Sequence, residues 1–529
     1  MKAIYIVLFV FVSSVACGQR PMSGGPMSEA QAAIDVTYYE LDLKLDPEEK
    51  TLNGRVDVVF KQLRAAKEWE LDLMQQYSVS EIKSGDQILS FSHKDGKIFI
   101  PFNAALVKDG MVSLSIFYGG KTPIAPNAPW EGGFSYAKSP NGNHWVGLSS
   151  QNDGADIFMP CKDQPSDKPD SVRMHIHVPA GYQAIGNGLL ENSNTESDWH
   201  TYTWATHYPI NNYSINFTLG KFSFLRSTYT SVDGNEVKVD VYLLEENKDK
   251  LEILSNMAID NLQHHEQYFG EYPFANEKFG LVETPYLGME HQTINAYGNQ
   301  YRFTEIDGKQ FDWLLLHELG HEWWANKVTA SDWADFWIHE GICAFSDALY
   351  HYTNFGWDGY WKKMSQTRNT ITNQKPVVMG RNIPSVTAYH SDIYNKGAFV
   401  MHMLWDILGD DQFFGILYDL ANSPESTYQN GITTAYFVQL VNDKTGEDFG
   451  PFFKFFMEGT ELPKVVIRKG EDGEYQVSIP NIDFYLPMEI HTSEGIERYE
   501  LSKNPISILS VDKPKVDPEG YYLRVIEEK

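Results

Sequence analysis

Between about residues 35 and 225 apolar and polar residues alternate. Tyr39-Glu40-Leu41-Asp42-Leu43-Lys44-Leu45 and Gly54-Arg55-Val56-Asp57-Val58-Val59-Phe60 both show a period of two, and similar segments recur between Gly, Asn, Asp and Pro. A period of two places alternate side chains on opposite faces of a strand, so residues 31–228 are predicted to form an all-β domain. After residue 245 the spacing becomes helical, in 247–269, 308–328, 336–354, 392–407, 410–421 and 431–444. These segments predict a mainly helical domain over 229–457. Past Gly459-Thr460-Glu461-Leu462-Pro463 alternation returns in Lys464-Val465-Val466-Ile467-Arg468, which predicts a small β domain over 458–529. The fold class is therefore multidomain α+β.

The two ends of the first domain's approach differ in texture. Residues 1–17 read MKAIYIVLFVFVSSVAC, with Lys2 before an apolar run and small residues after it. That is the pattern of a secretory signal peptide, too short to span a bilayer. Cys17 after Ser14-Val15-Ala16 also resembles a bacterial lipoprotein cleavage box, although Ser14 stands where Leu is usual. Simple secretion and a lipid anchor at Cys17 are both open; the expected location is periplasmic, outer-membrane or extracellular. Residues 18–30 are rich in Gly, Pro and Ser and predict a flexible tether.

Composition narrows the chemistry. The 529-residue chain carries a net charge of -28, which repels phosphate backbones and excludes nucleic acid as a partner. It has three cysteines, Cys17, Cys161 and Cys343, too few for a disulfide framework or a thiolate zinc cluster. A metal site must use His and carboxylates. One such site is visible in His317-Glu318-Leu319-Gly320-His321. Residues four apart share a helix face, so His317 and His321 can grip one zinc ion while Glu318 projects beside them as a general base. A catalytic zinc needs a third protein ligand and an open position. Eighteen residues separate His321 from Glu340, in Trp337-Ile338-His339-Glu340-Gly341. It is the expected third ligand; His339 is its rival. Gly341 is expected to leave space for the metal. Asp335 and Asp347 are either carboxylates that orient a histidine or solvated charges.

These motifs resemble those of the aminopeptidase N family of zinc metallopeptidases, which includes a leukotriene hydrolase. Its His-Glu-x-x-His pair, followed by eighteen residues and then a Glu, matches HELGH and WIHEG here. Leu287-Gly288-Met289-Glu290-His291 resembles the family's Gly-x-Met-Glu-Asn exopeptidase motif, with Leu287 and His291 as departures. Ile393-Tyr394-Asn395-Lys396-Gly397 resembles its Tyr-x-Lys-Gly. Gln151, nine residues before Pro160-Cys161-Lys162-Asp163, has the spacing of a substrate-binding Gln. The resemblance covers residues 33–460 and implies an N-terminal β saddle or sandwich, a thermolysin-like catalytic domain and a small C-terminal β-sandwich. It implies one zinc ion, with Tyr394 stabilising the tetrahedral intermediate. Gln151, Gly288, Met289 and Glu290 would then bind a peptide by its free N-terminus. Many members continue into a large helical domain; the pattern past residue 458 predicts strands instead.

Two other readings are weaker. Tyr389 matches a tyrosine of the leukotriene hydrolase, but Val386 stands where that enzyme has a catalytic Asp, which speaks against epoxide hydrolysis. A catalytically dead binding protein would be expected to have lost a ligand or the base. Of the remaining signals, the Asn212 and Asn216 sequons lie in an alternating strand and read as chance. Cys343 is expected in the core and His264 and His265 on a helix surface. Trp323 and Trp324 are expected to pack the helix, with one of them free to line the cleft.

Overall fold

The computed structural model describes residues 22–470 and 473–528. The expected signal peptide, Cys17 and the start of the tether lie outside the described residues. No helix among the described residues is long and apolar enough to cross a membrane.

The alternating stretch forms the expected β domain. Strand Ile34–Asp46 sits inside an eight-stranded sheet, antiparallel to Thr51–Gln62 and parallel to Ser171–Pro179. Tyr39, Leu41, Leu43 and Leu45 all point into one core, as their spacing requires. A four-stranded sheet that includes His144–Ser149 shares this core. That strand delivers Ser150, Gln151 and Asn152 to the border with the helical domain.

The second domain opens on a five-stranded sheet rather than on a helix. Strand Phe222–Thr230 pairs with Glu236–Leu244, which pairs in turn with Phe279–Glu283. The expected boundary at 228/229 therefore cuts through a strand, and this sheet begins at residue 222. Gly288–Met289 forms an edge of this sheet against Asn295–Tyr297. The helices are α1 (Leu251–Phe269), α2 (Trp313–Gly320), α3 (Trp337–Thr370), α4 (Ser385–Ala388), α5 (Ser391–Leu408), α6 (Asp410–Asn422), α7 (Thr434–Thr445) and α8 (Gly450–Met457). His264 and His265 are buried in α1, with His265 stacked on Trp323 at 5.3 Å. The surface expectation was wrong because α1 is covered by the sheet on one side and by α2 and α3 on the other. Trp323 and Trp324 are both fully buried, so neither lines the cleft. Asn212 and Asn216 are buried and donate to backbone carbonyls.

The last β region makes a four-stranded and a three-stranded sheet. Its apolar residues, among them Val465, Val477 and Leu486, belong to the same core as the helical domain.

Residues 22–30 are not a tether. Ser23 is 3% exposed. Its N–H donates to the Asn152 carbonyl at 3.2 Å, its carbonyl accepts from Ser385 at 3.0 Å, and its hydroxyl accepts from the Trp333 indole at 3.1 Å. Composition predicts flexibility only where nothing docks. Here Gly24, at φ +77°, lies where a Cβ would be 2.4 Å from Trp333. The small residues exist for that close approach. The segment ties the 150–165 loop of the β domain to Trp333 and α4.

Candidate active site

Helix α2 carries the two histidines, and its ends are fixed by neighbours. Asp312 caps it, accepting from Leu314 and Leu315 backbone N–H at 2.9 and 3.1 Å. Asp312 is itself held by the Tyr297 hydroxyl at 2.8 Å, which links the helix start to the sheet. At the other end the expected long helix stops. Residues Glu322–Lys327 form a π-turn in which Asn326 N–H reaches the His321 carbonyl at 3.0 Å. This turn swings the Trp324 carbonyl to 2.9 Å from His321 Nδ1. A carbonyl oxygen only accepts, so that nitrogen carries the hydrogen.

His317 Nδ1 lies 3.0 Å from Asp347 Oδ2 on α3. Asp347 thus orients a histidine, as one of the two open readings had it. Both Nε2 atoms turn inward, 3.3 Å apart. Glu340 Oε2 completes the triangle, 3.6 Å from His317 Nε2 and 3.3 Å from His321 Nε2. Donor atoms at roughly 2.0–2.2 Å from one tetrahedral zinc sit ~3.3–3.6 Å from each other. The triangle has those edges. Glu340 Oε2 is buried with no hydrogen-bond donor, while Oε1 accepts from the Tyr394 hydroxyl at 2.8 Å. Burial alone would raise Glu340, but the two histidines outweigh it and hold the carboxyl well below the usual range. A buried anion and two imidazole nitrogens aimed at one point fit a dication.

The rivals are accounted for. His339 is buried and its Nε2 accepts from Ala330 N–H at 2.8 Å, away from the triangle. Asp335 accepts from Thr434 and pairs with Arg381, so it starts α7 and orients no histidine. Cys343 also comes near both histidines, but its thiol donates to the His317 carbonyl at 3.1 Å. Gly341 does not make room for a metal. A Cβ there would meet Ile393 O at 2.8 Å and Gly397 Cα at 2.9 Å. The glycines of the two motifs touch each other, and this crossing of α3 and α5 sets Glu340 beside Tyr394. Lys396 is structural: it donates to Asn373 and to the Gly459 carbonyl.

Two more carboxylates face the same cleft. Glu318, Glu290 and His321 lie within 4.8 Å of one another. Burial pushes Glu318 up to about 8; the histidines oppose this and Glu290 and Glu340 add to it. A bound dication would draw it down again. The edge strand Gly288–Met289 runs so close that a Cβ on Gly288 would sit 2.6 Å from Glu318 Oε1. Glu290 Oε1 accepts from Gln151 Nε2 and, at 2.9 Å, from the Tyr213 hydroxyl. Burial raises Glu290, and Glu340 adds to the rise against His321. Tyr213 was not singled out from the sequence, because no local motif marks it. It comes from the β domain, whose turn is locked to the π-turn through Asn211 to the Ala325 carbonyl at 3.0 Å and Ser214 to Asn326 at 3.0 Å. Tyr389 places its hydroxyl 3.0 Å from that of Tyr394. All nine expected site residues line, or lie beside, one cavity of about 490 Å³.

The chain is similar to known proteins over both of its larger domains. The Peptidase M1 N-terminal domain profile matches residues 36–214, and the Peptidase family M1 domain profile matches residues 254–454. Glutamyl aminopeptidase of Rattus norvegicus is 26% identical over 284 residues, 48% of this chain and 28% of the relative. Aminopeptidase N of Escherichia coli is 24% identical over 305 residues, 53% of this chain and 33% of the relative. The aligned parts thus span about a third or less of these relatives' own length. A crystal structure of an M1 zinc metallopeptidase from Deinococcus radiodurans superposes with a TM-score of 0.67 at 21% identity, over 82% of this chain and 96% of that one. With both domains matched in order and the triangle of His317, His321 and Glu340 inside the second, the chain belongs to peptidase family M1.

Proposed function

We propose that this protein is a zinc-dependent aminopeptidase that releases N-terminal residues from peptides. The observation that carries the reading is the triangle of His317, His321 and Glu340 with Glu290 beside it, backed by Gln151 and Tyr213. Relatives named as aminopeptidases and the Tyr-Ser-Ala substrate bound to a mutant of the Deinococcus enzyme support it.

His317, His321 and Glu340 would hold the ion, which supplies Lewis acidity toward water and the scissile carbonyl. Glu318 takes the proton of the attacking water at its carboxylate and passes it to the leaving nitrogen. Tyr394 turns its hydroxyl from Glu340 toward the carbonyl oxygen as that atom gains charge, stabilising the tetrahedral intermediate. Glu290 pairs with the substrate's ammonium, and the carboxamide of Gln151 completes its cradle. The backbone of Gly288 and Met289, an open sheet edge, lies alongside the peptide. Because Glu290 and Glu318 flank His321, the anchor leaves room for one residue before the bond that is cut.

The test is hydrolysis of amino-acid anilides with and without a zinc chelator, by the wild type and by Glu290→Ala. Chelator-sensitive turnover that falls steeply in the variant is expected. No turnover on any anilide would refute the enzyme reading, and an unchanged rate in Glu290→Ala would refute the anchor. The sequence supports one further proposal, that residues 1–17 direct export. Mass spectrometry of the mature N-terminus separates plain secretion from a lipid on Cys17.

A further inference from the structure

We propose that Lys363 binds the C-terminal carboxylate of short peptides, so that the enzyme favours small peptides with a free acid end. This rests on the aminopeptidase reading and adds the substrate's other end to it.

The argument starts from an oddity of charge. In a chain of net charge -28, Lys363 is the one Lys or Arg among the residues lining the active-site cavity. Among the described residues its ammonium has no hydrogen-bond partner and no carboxylate within 4.0 Å. Other lysines turned inward are spent: Lys396 on Asn373, Lys168 on the Asn326 carbonyl, Lys278 on the Thr293 carbonyl.

The fold takes trouble to put it there. Asp347 and Lys363 both belong to α3, sixteen positions apart, ~24 Å along a straight helix. Yet both line the same cavity, and Lys363 is felt electrostatically at Asp347 and at His351. The cause is Gly356, at φ +66°, which breaks α3 and folds its second half back. Thr367, one turn further, cannot be the donor, since its hydroxyl is used on the Lys363 carbonyl at 3.2 Å.

The position along the cleft is defined by what lies between. Glu290 is on the His321 side, within 4.8 Å of His321 and Glu318. Lys363 lines the cavity together with Asp347, the residue that bonds His317. A peptide whose ammonium sits on Glu290 therefore runs past the metal triangle toward Lys363. Its free carboxylate finds there a cation with donors to spare, a charge-assisted pair. The cavity of about 490 Å³ sits toward the small end of the roughly 300–1,000 Å³ typical of ligand pockets, which suits a few residues.

The experiment compares kcat/KM for a Leu-Ala-Ala peptide and its C-terminal amide, with leucine anilide as a substrate that has no carboxylate. The wild type is expected to prefer the acid by about tenfold or more, the scale of one charge-assisted hydrogen bond. Lys363→Met should bring the acid-to-amide ratio toward one, Lys363→Arg should keep it, and Lys363→Glu should invert it. Thermal melts of the three variants guard against misfolding, and the wild-type ratio reads the proposal even if one variant fails to fold. A wild type that cuts acid and amide equally would overturn the proposal, as would a Lys363→Met protein that keeps the preference. An equal loss on both substrates, with weaker zinc retention, would also overturn it by assigning Lys363 to the support of Asp347. If peptides and anilide alike are not cut at all, it is the aminopeptidase reading that fails.

Discussion

Replacing Asp347 by Ala removes the group that fixes His317 while leaving His317, His321 and Glu340, the proposed zinc ligands, in place. His317 Nδ1 would lose its 3.0 Å partner. The other two ligands keep theirs, His321 on the Trp324 carbonyl at 2.9 Å and Glu340 on Tyr394 at 2.8 Å. Only one ring is freed to rotate, and only one ligand loses the basicity that a carboxylate partner lends it. The expected cost is that of one outer partner, a ~10–100-fold weaker zinc affinity, or roughly 1.4–2.7 kcal/mol. The side chain of Asp347 is 13% exposed, so water cannot fully replace it, which argues for the upper half of that range. Asp347→Asn retains an oxygen that accepts from Nδ1–H and should lose less. The assay is competition for zinc against a chromophoric chelator at fixed pH, followed by activity per bound zinc in excess metal. That activity should stay within an order of magnitude, since Glu318 and Glu290, the proposed base and anchor, are untouched. A zinc Kd for Asp347→Ala within about twofold of wild type, or an Asn variant weaker than the Ala variant, would refute the reasoning.

Three further substitutions test other parts of the site. Tyr394→Phe should lower kcat by about 10²–10³-fold with little change in KM, because the donor acts on charge that develops only later; steady-state kinetics decide it. Gly397→Ala would place a Cβ 2.9 Å from Gly341 Cα, forcing α5 from α3, so a loss of ~1–3 kcal/mol in stability and a drop in activity are expected together. His291→Asn should flatten the acid limb of a Tm-against-pH curve. Burial holds His291 down to about 3, whereas unfolded it titrates near 6.5, so between these values the unfolded chain binds the extra proton and stability falls as pH falls.

The sequence resolves what is local and misses what is assembled from afar. The His317–His321 spacing and the alternation of 39–45 follow from single-element periodicity, and both are realised. Periodicity could not show that 308–328 is a strand, a short helix and a π-turn. Buried Trp323 and Trp324 keep the apolar pattern going through a backbone that has left the helix. Gly341 and Gly397 lie in two separate motifs, and no spacing says that they touch. Tyr213 and Gln151 reach Glu290 from 77 and 139 residues away. Nor does the composition of 22–30 reveal that its small residues fit beneath Trp333 rather than swing free.

The two departures from the exopeptidase motif can be separated by where their side chains go. His291 is buried, and its Nε2 lies 3.2 Å from Asn216 Nδ2 in the β domain. It is absent from the cavity wall. An Asn at this position and a His both offer an acceptor to that partner, so the change falls at the contact with the β domain and away from the cavity wall. Leu287 is half-buried and does line the cavity, next to the open edge of Gly288–Met289. A leucine in place of glycine adds an isobutyl group to the wall of the cleft. It also restricts the backbone at the start of that edge strand. Of the two altered positions, Leu287 is therefore the one that changes the cavity wall.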